Sequence, residues 1–402
     1  EGGDPSDWPS GSFQSVATGY LTSCGVKTDG NVVCWNANYQ GAGSPPVDSL
    51  PSVSAGGTHT CGIKDDGSAV CWGDNSYGQS SPPTDALFQS VSAGYTHTCG
   101  VTTDGSVACW GASSQGQLSA EVTDLFQSVS AGGLHTCGVK ADGLAACWGD
   151  NTEGQTSQPG DSFQSVSAGY LHTCGVNTDG LVVCWGDNAE GQTSPPGDSF
   201  QSVSAGNTHT CGVTFDGLVA CWGDNADGQS GPPAGDNFVS VSAGGRHTCG
   251  IKDDGLVACW GDNADGQTTA PAGSFVSVSA GYAHTCGVKT DGLVACWGKN
   301  DACGDGVVTG SEECDDGDLV SGDGCTWTCQ NEDQEYCDSW AQADPCIAAA
   351  TAGFKDDGSN KSRWPTYEVE GTLCEDEDPE NLCTPLDTCD GAGQCMLNDT
   401  LD

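Results

Sequence analysis

The chain has 402 residues, and its 10 Lys and Arg against 55 Asp and Glu give a formal net charge of −45. Such a chain lacks a basic surface that could neutralise phosphates, so nucleic acid and anionic membranes are predicted to be poor partners. No run of about 18 apolar residues is present, so no membrane span is predicted. The start at Glu1-Gly2-Gly3, without Met or an apolar leader, predicts a mature secreted product that has lost its signal peptide.

After a lead at residues 1–11, a unit of 37 or 38 residues repeats eight times over residues 12–300. Each unit has three short apolar runs of strand length, which in the fifth unit are residues 163–168, 172–176 and 181–185. Within the first run, alternation places Phe163 and Ser165 on one face and Val166 on the other. No window shows the 10–12 residues of helical period that an α-helix needs.

Units this small do not each hold a core, but arranged in a circle they bury one another's faces. The predicted fold is therefore all-β: a β-propeller of seven or eight blades, each with three or four strands. A linear β-solenoid is the alternative, although its rungs are usually shorter than 37 residues.

Cysteines have the same spacing in all eight units. Because the pairing is regular and the total of 26 is even, we predict disulfides formed outside the cytosol. Zinc is the alternative, but it favours Cys-x-x-Cys knuckles with further ligands. The predicted pairs are Cys24/Cys34, Cys61/Cys71, Cys99/Cys109, Cys137/Cys147, Cys174/Cys184, Cys211/Cys221, Cys249/Cys259 and Cys286/Cys296.

The hairpin between each pair of cysteines predicts its own register. Thr178-Asp179-Gly180 suits a three-residue loop whose glycine takes the left-handed conformation. Pairing then sets Cys174 opposite Cys184 at a non-hydrogen-bonded position, where Cα atoms approach to about 4.5 Å. A disulfide fits there, and each should contribute about 2–3 kcal/mol to stability.

The repeated motif is His-Thr-Cys-Gly-Val, then Asp-Gly, then Cys-Trp-Gly-Asp-Asn-x-x-Gly-Gln. It resembles the repeat of the regulator of chromosome condensation family, and this resemblance implies a β-propeller, usually of seven blades. The short repeats look more like those of secreted bacterial relatives, including a propeller-type β-lactamase inhibitor with three-stranded blades. The chain departs from the family pattern in two ways: it has eight units, and each unit has a cysteine pair. In the first unit Thr22 replaces the histidine and Asn36 the glycine after tryptophan.

Residues repeated in nearly every unit are predicted to be structural. A catalytic histidine is expected once, beside unique partners, whereas all seven histidines share one repeat position and are predicted to join each blade to its neighbour. The repeat tryptophans are predicted to pack between blades, with sugar stacking as the alternative. The aspartates of the Gly-Asp-Asn turns are predicted to cap their own turns, with cation binding as the alternative; they are Asp74, Asp150, Asp187, Asp224 and Asp262.

Positions that differ between units are the candidates for binding. Two neighbouring variable positions follow the repeated Gly and are predicted to project from one rim of the propeller. They supply the candidate partner-binding residues, because tyrosine is a typical interface anchor; neutral loop variation is the alternative. These residues are Tyr20, Tyr95, Tyr170, Tyr282 and Arg246.

Beyond residue 300 the composition changes, and 26 of the 55 acidic residues lie there. Residues 301–332 are predicted to form a cysteine-rich acidic repeat, and residues 333–402 a second cysteine-rich acidic segment. Within the first, Cys303-Gly304-Asp305-Gly306, Cys314-Asp315-Asp316-Gly317 and Gly322-Asp323-Gly324-Cys325 resemble a short repeat of secreted proteins from myxobacteria and some protists. Asn360 and Asn398 begin N-glycosylation sequons. The carboxylates predicted to bind calcium, with simple solvated acids as the alternative, are Asp305, Asp315, Asp316, Asp318 and Asp323.

The sequence shows no unique reactive constellation, so the predicted function is a non-catalytic extracellular scaffold, secreted or on the cell surface. It would contact a protein partner or assemble with itself as a unit of a fibre or coat. The alternatives are a multivalent carbohydrate-binding propeller lectin and a secreted protein inhibitor that uses the tyrosine rim. Guanine-nucleotide exchange, the activity of the family's nuclear namesake, is opposed by secretion and acidity. The only cofactor considered is calcium in the C-terminal segment.

Overall fold

The computed structural model describes residues 11–20, 22–36, 44–119 and 124–299, and the two short strands 388–389 and 395–396. Residues 11–299 form eight antiparallel sheets of three strands, and each sheet takes its strands from one repeat in chain order. Consecutive sheets contact one another and the eighth contacts the first, so the sheets are the blades of a closed ring. The propeller therefore has eight blades of three strands, and the seven-bladed and four-stranded options of the sequence prediction are wrong.

The first strand of each blade lies nearest the ring axis, because first strands contact those of the neighbouring blades. Their bounds are Phe13–Thr18 (β1), Ser52–Ala55 (β4), Phe88–Ala93 (β7), Phe126–Ala131 (β10), Phe163–Ala168 (β13), Phe200–Ala205 (β16), Phe238–Ala243 (β19) and Phe275–Ala280 (β22).

The second strand is the middle one of each blade and carries the motif His-Thr-Cys-Gly. The middle strands are Thr22–Lys27 (β2), His59–Ile63 (β5), His97–Thr102 (β8), His135–Lys140 (β11), His172–Asn177 (β14), His209–Thr214 (β17), His247–Lys252 (β20) and His284–Lys289 (β23).

The third strand is the outer one and carries the motif Cys-Trp. The outer strands are Val32–Asn36 (β3), Ala69–Gly73 (β6), Val107–Gly111 (β9), Ala145–Gly149 (β12), Val182–Gly186 (β15), Val219–Gly223 (β18), Val257–Gly261 (β21) and Val294–Gly298 (β24). Two further strands, Thr388–Cys389 (β25) and Cys395–Met396 (β26), pair with Cys389 opposite Cys395.

The predicted hairpin register is confirmed. In the fifth blade Val176 pairs with Val182 and Cys174 with Cys184, and Gly180 takes a φ of +81°, as the three-residue loop requires. The middle and outer strands of every blade are paired in the same way, with the two cysteines directly opposite each other.

All eight predicted disulfides are confirmed, and each joins the middle strand of a blade to its outer strand. Their Cα–Cα distances run from 3.9 to 4.1 Å, which is short because opposite side chains are closest at non-hydrogen-bonded pairs. The bonds are Cys24–Cys34, Cys61–Cys71, Cys99–Cys109, Cys137–Cys147, Cys174–Cys184, Cys211–Cys221, Cys249–Cys259 and Cys286–Cys296.

The two cysteines of a pair differ in burial, a difference that the sequence prediction does not contain. The cysteine on the middle strand has no exposed surface in any blade. The one on the outer strand is partly exposed in the first seven blades, because that strand is the edge of its sheet, and only Cys296 of the eighth blade is buried. The partly exposed cysteines are Cys34, Cys71, Cys109, Cys147, Cys184, Cys221 and Cys259.

The predicted alternation along the first strand is wrong at its start. The register shifts between Phe163 and Ser165, so Gln164 is an extra residue that forms a β-bulge. A bulge reverses the facing of the residues that follow, because side chains alternate with a period of two. Phe163 and Val166 consequently pack in the same apolar cluster.

Apolar clusters fill the seams between blades. In each of them the phenylalanine and tryptophan of one blade pack against the middle strand of the preceding blade, as Phe163 and Trp185 do against Cys137 and Val139. Leu50 takes the place of phenylalanine in the second blade. A single blade lacks the area for a core of its own, so this burial between neighbours is what makes the blades stable.

The first and eighth blades close the ring without exchanging a strand. Phe13 packs against Cys286 and Val288, and the Trp35 indole N–H donates to Cys296 Sγ at 3.0 Å. The Phe13 amide also donates to the Gly292 carbonyl at 2.7 Å. The apolar packing and the backbone hydrogen bond of the closing seam recur in the other seams, whereas its indole bond to sulfur does not: Trp110 and Trp260 donate to glutamine carbonyls. Among the described residues, no helix is long and apolar enough to cross a membrane.

Candidate functional site

Two sets of loops meet at one end of every blade, which we call the axial face. One loop joins the first strand to the second and contains the repeated Gly and the variable residue after it. The other follows the third strand and contains the Gly-Asp-Asn turn. A backbone hydrogen bond joins them in each complete unit, as from the Asp187 amide to the Leu171 carbonyl at 3.0 Å. The axial face is therefore built from the variable positions and the Gly-Asp-Asn turns.

The four candidate tyrosines converge at the centre of this face. With Thr18-Gly19 of the first blade and the Ala-Gly ends of the other seven first strands, they line an open depression of 410 Å³ on the ring axis. The sequence predicts that these side chains project from one rim of the propeller, and in the structure the four tyrosines lie around the ring axis at the axial face. Ring centroids are 4.2 Å apart for Tyr20 and Tyr282, 5.8 Å for Tyr20 and Tyr95, and 6.3 Å for Tyr95 and Tyr170.

Glycines at the variable position of other blades make room for the tyrosine rings. A Cβ atom at Gly133 would lie 2.8 Å from Cδ2 of Tyr170, and one at Gly245 would lie 2.9 Å from Cδ2 of Tyr282. Each of these rings thus lies over the glycine of the preceding blade. The alternation of Gly and Tyr is visible in the sequence. That each glycine makes room for the tyrosine of the next blade is known only once the neighbouring blades are known.

The phenol of Tyr20 is partly buried among the neighbouring tyrosine rings. Burial, followed by the neighbouring Tyr282, raises the pKa of Tyr20 to about 12. This phenol is therefore neutral over the whole physiological range. The depression presents the aromatic rings of four tyrosines to a ligand.

Arg246 is the candidate residue that lies outside the depression. Its guanidinium is 2.8 Å from a carboxylate oxygen of Asp227, and its side chain is half exposed. Arg246 follows Gly245, so it belongs to the axial face but does not line the depression. The structure thus brings together four of the five candidate residues.

The sixteen paired cysteines of the propeller lie away from the depression, since none of them lines it. The middle-strand cysteines pack in the seams, as Cys137 and Cys174 do. The outer-strand cysteines that are partly exposed are bonded to those partners and carry no free thiol; they are Cys34, Cys71, Cys109, Cys147, Cys184, Cys221 and Cys259. Each disulfide holds the middle and outer strands of its own blade together, and none takes part in the candidate site.

The seven histidines link the blades, as the sequence predicts. Each Nε2 forms a hydrogen bond of 2.6–2.8 Å with a hydroxyl of the next blade, which is a threonine in six seams and Ser23 in the closing seam. Burial lowers their pKa values to about 4 for five of them and to about 3 for His172 and His247. The rings are consequently neutral structural groups.

The tryptophans pack between blades, and the sugar-stacking alternative is wrong for them. Seven of the eight indoles are at most 8 % exposed, so their faces are not available to a ligand. Each also contacts the phenylalanine of its own blade where one is present, as Trp222 does with Phe200 at a centroid distance of 5.7 Å. A lectin built on these indoles does not fit this structure.

The Gly-Asp-Asn aspartates cap their turns, as predicted. Oδ1 of Asp187 accepts the Ala189 amide at 2.9 Å, and its Oδ2 accepts the Gln192 side-chain amide at 2.8 Å. Asp74 and Asp150 accept the corresponding bonds. Among the described residues, no group of three or more His, Cys, Asp or Glu side chains could hold a metal ion.

Three predictions concern residues outside the described ranges. They are the calcium ligands Asp305, Asp315, Asp316, Asp318 and Asp323, the sequons at Asn360 and Asn398, and the domain boundaries beyond residue 300. They stay predictions.

Two solved propellers are similar to this chain. The CRINKLY WD40 ectodomain of the Arabidopsis thaliana receptor kinase ACR4 is 27 % identical with a TM-score of 0.50, and the match covers 72 % of this chain and 97 % of that one. The entire ectodomain of the Physcomitrella patens receptor kinase CR4 is 30 % identical with a TM-score of 0.52, covering 63 % and 74 %. No curated protein matches the chain.

The family model of the regulator of chromosome condensation (RCC1) repeat matches seven segments, one for each blade after the first. The matched residues are 52–79, 88–117, 126–155, 163–192, 200–229, 238–267 and 275–305. Together they make up just over half of the chain. The first blade has the same three strands and disulfide but not the matching sequence. The chain belongs to the RCC1 repeat family.

Proposed function

We propose that this protein is a non-catalytic extracellular scaffold that binds a protein partner through the axial face. The observation that carries the proposal is the tyrosine-lined depression, where side chains that differ between repeats gather around the ring axis. The repeated His, Trp and Asp side chains are engaged in holding the blades and turns together. The variable side chains of the axial face are therefore the candidates for recognition of a partner.

An extracellular location is supported by two observations. Eight disulfides persist in oxidising compartments and are reduced in the cytosol. The two similar propellers are ectodomains of receptor kinases. Assembly into a fibre or coat would be one form of this function, with a second copy of the chain as partner.

Photocrosslinking tests the use of the axial face. A benzophenone amino acid replaces Tyr170 in one variant and Phe215, which is exposed at a hairpin tip on the opposite end, in the control. Both secreted proteins are irradiated in their native extracellular material. We expect a discrete crosslinked protein from position 170 and none from position 215. Crosslinks from position 215 alone, or from neither position, would contradict the proposal.

The same experiment separates self-assembly from a different partner. Mass spectrometry of the crosslinked band identifies peptides of this chain in the first case and foreign peptides in the second. The inhibitor alternative predicts a foreign enzyme whose activity falls on addition of the propeller. The identity of the crosslinked protein thus distinguishes self-assembly, binding of a different protein and inhibition of an enzyme.

A further inference from the structure

The axial depression has two unlike sides. In ring order the variable position carries tyrosine on blades 8, 1, 3 and 5, and these rings contact one another in a continuous series from Tyr282 to Tyr170. We call this series the tyrosine arc. Blades 6 and 7 carry Asn207 and Gly245 at the same position. The depression is therefore walled by aromatic rings on one side and open on the other.

Acidic side chains lie on the axial face of four consecutive blades, which include blades 6 and 7 on the open side. The residue two places before the glutamine of each Gly-Asp-Asn-x-x-Gly-Gln turn varies, and it is acidic on blades 4 to 7 but Tyr77 and Gln115 on blades 2 and 3. We call the four acidic residues the acidic arc; they are Glu153, Glu190, Asp227 and Asp265. The arc belongs to the axial face, because its turns are hydrogen-bonded to the loops that carry the depression.

Three carboxylates of the acidic arc are available to a ligand. Glu153, Glu190 and Asp265 are exposed, and none of them forms an ion pair within the described residues. Asp227 is paired with Arg246, so this seam already shows that a guanidinium fits beside the arc. The axial face thus combines aromatic rings with carboxylates that have no ion-pair partner among the described residues.

This combination recognises a cation. The face of a tyrosine ring attracts an ammonium or guanidinium group, and the attraction grows when the site is partly desolvated. Arginine also stacks on aromatic rings and pairs with carboxylates in a planar, bidentate manner. An acidic peptide or a phosphate group would be repelled by the arc, which also steers basic partners towards the depression.

We propose that the partner inserts an arginine-bearing loop into the depression, with the guanidinium on the tyrosine arc and flanked by the acidic arc. The volume of 410 Å³ is near the lower end of the range of about 300–1,000 Å³ for small-ligand pockets, which suits one or two side chains of a loop. This proposal rests on the proposed function and specifies the chemistry of its partner.

An NMR titration of the full chain tests the proposal. The probe is a capped Gly-Ser peptide of twelve residues with two central arginines, and the control peptide carries neutral, isosteric citrulline at both places. The amide signals of Gly57, Gly133 and Gly245 report on the depression, and that of Gly217, in a hairpin on the opposite end, is the reference. We expect shifts at the three axial glycines with the arginine peptide, none at Gly217, and none with the citrulline peptide.

Variants separate the aromatic contribution from the overall negative charge of the chain. Replacing Tyr20 and Tyr282 together by leucine leaves the charge unchanged and should weaken binding of the arginine peptide about tenfold, because the ring faces are lost. Replacement of both by phenylalanine retains the faces and should change the affinity less than about twofold. Tyr77→Leu, on the outer part of the same face, is the matched control and should have no effect.

A second set of variants tests the acidic arc. Glu153→Gln, Glu190→Gln and Asp265→Asn combined should weaken binding about fivefold at low salt and reduce its dependence on salt, because exposed charges are screened. Equal binding of the arginine and citrulline peptides, or equal affinity of the leucine and phenylalanine variants, would overturn the proposal. If crosslinking from position 170 succeeds all the same, the scaffold function stands and its partner is not cationic.

Discussion

The seams between blades and the axial face differ in how much the repeat constrains them. Every seam uses the same set of side chains: a phenylalanine or leucine, a tryptophan, a cysteine pair and, in seven of eight seams, a histidine bonded to a hydroxyl. At the axial face, by contrast, the position after the repeated Gly alternates among Tyr, Gly and Asn. The side chains of a seam must fit against the next blade, whereas those of the axial face are exposed to solvent.

Within each repeat, the positions that stabilise the fold are therefore different from the positions available for recognition. Buried seam residues are constrained by close packing, because a substitution there creates a cavity or an unpaired polar group. Residues of the depression touch each other and water, so they can vary without a comparable cost. Four experiments compare the loss of stability caused by changes in the seams and in the axial face. They run from a change that affects all histidine seams at once to one that affects only the axial face.

Mild acid should have the largest effect, because it acts on seven seams together. The histidine pKa values are lowered by burial, to about 3 or 4, so the folded rings stay neutral while the unfolded chain takes up protons below pH 6.5. The unfolded state therefore binds more protons between about pH 6.5 and 4, and stability falls as the pH falls through that window. The loss is about 1.4 kcal/mol per pH unit for each histidine.

Urea unfolding followed by tryptophan fluorescence between pH 8 and 5 measures this effect. We expect a constant midpoint above pH 7 and a steep fall below pH 6.5. The net charge of −45 decreases in magnitude on acidification, which by itself would relieve repulsion and stabilise the fold. A midpoint that stays level or rises between pH 6.5 and 5 would therefore contradict the role of the histidines.

Truncation of one seam tryptophan should have the next largest effect. Trp222→Ala removes an indole that is 7 % exposed and packs against the fifth blade. We expect a loss of about 3–5 kcal/mol in the free energy of unfolding, as for other buried aromatic residues. Tyr77→Ala, which truncates a ring that is 61 % exposed, is the control and should cost less than about 0.5 kcal/mol.

Removal of one disulfide should have an intermediate effect. Cys174→Ala with Cys184→Ala deletes the cross-link of the fifth blade, and the loop of about ten residues should be worth about 2–3 kcal/mol. Thermal unfolding under non-reducing conditions measures the loss, and peptide mapping checks that the other seven pairs are intact. Bridges between different units in that map would show that the hairpin register is wrong.

A substitution in the depression should have the smallest effect on stability. Tyr170→Leu removes a ring that is 43 % exposed and one edge contact with Tyr95. We expect the free energy of unfolding to change by less than about 1 kcal/mol, while binding of the arginine peptide at the axial face weakens. A loss as large as that of Trp222→Ala would mean that the tyrosine arc is part of the core.

The residues within one hairpin were enough to predict its structure. The turn at Asp179-Gly180 and the spacing of Cys174 and Cys184 determine the register, because all the interacting groups lie within about ten residues. The bulge at Gln164 escaped prediction, since its phase shift is imposed by packing of Phe163 and Val166 on the preceding blade. Roles of the repeated His and Trp followed from repetition alone.

The sequence by itself therefore determined the blade, its disulfide and the structural role of the repeated side chains, because those depend on contacts that are local or are made identically in every seam. Only the tertiary structure decided that eight blades close the ring without exchanging a strand, and that Tyr20, Tyr95, Tyr170 and Tyr282 share one depression. Those residues are far apart along the chain, and it is the angle between successive blades, set by the packing of every seam, that brings them around one axis.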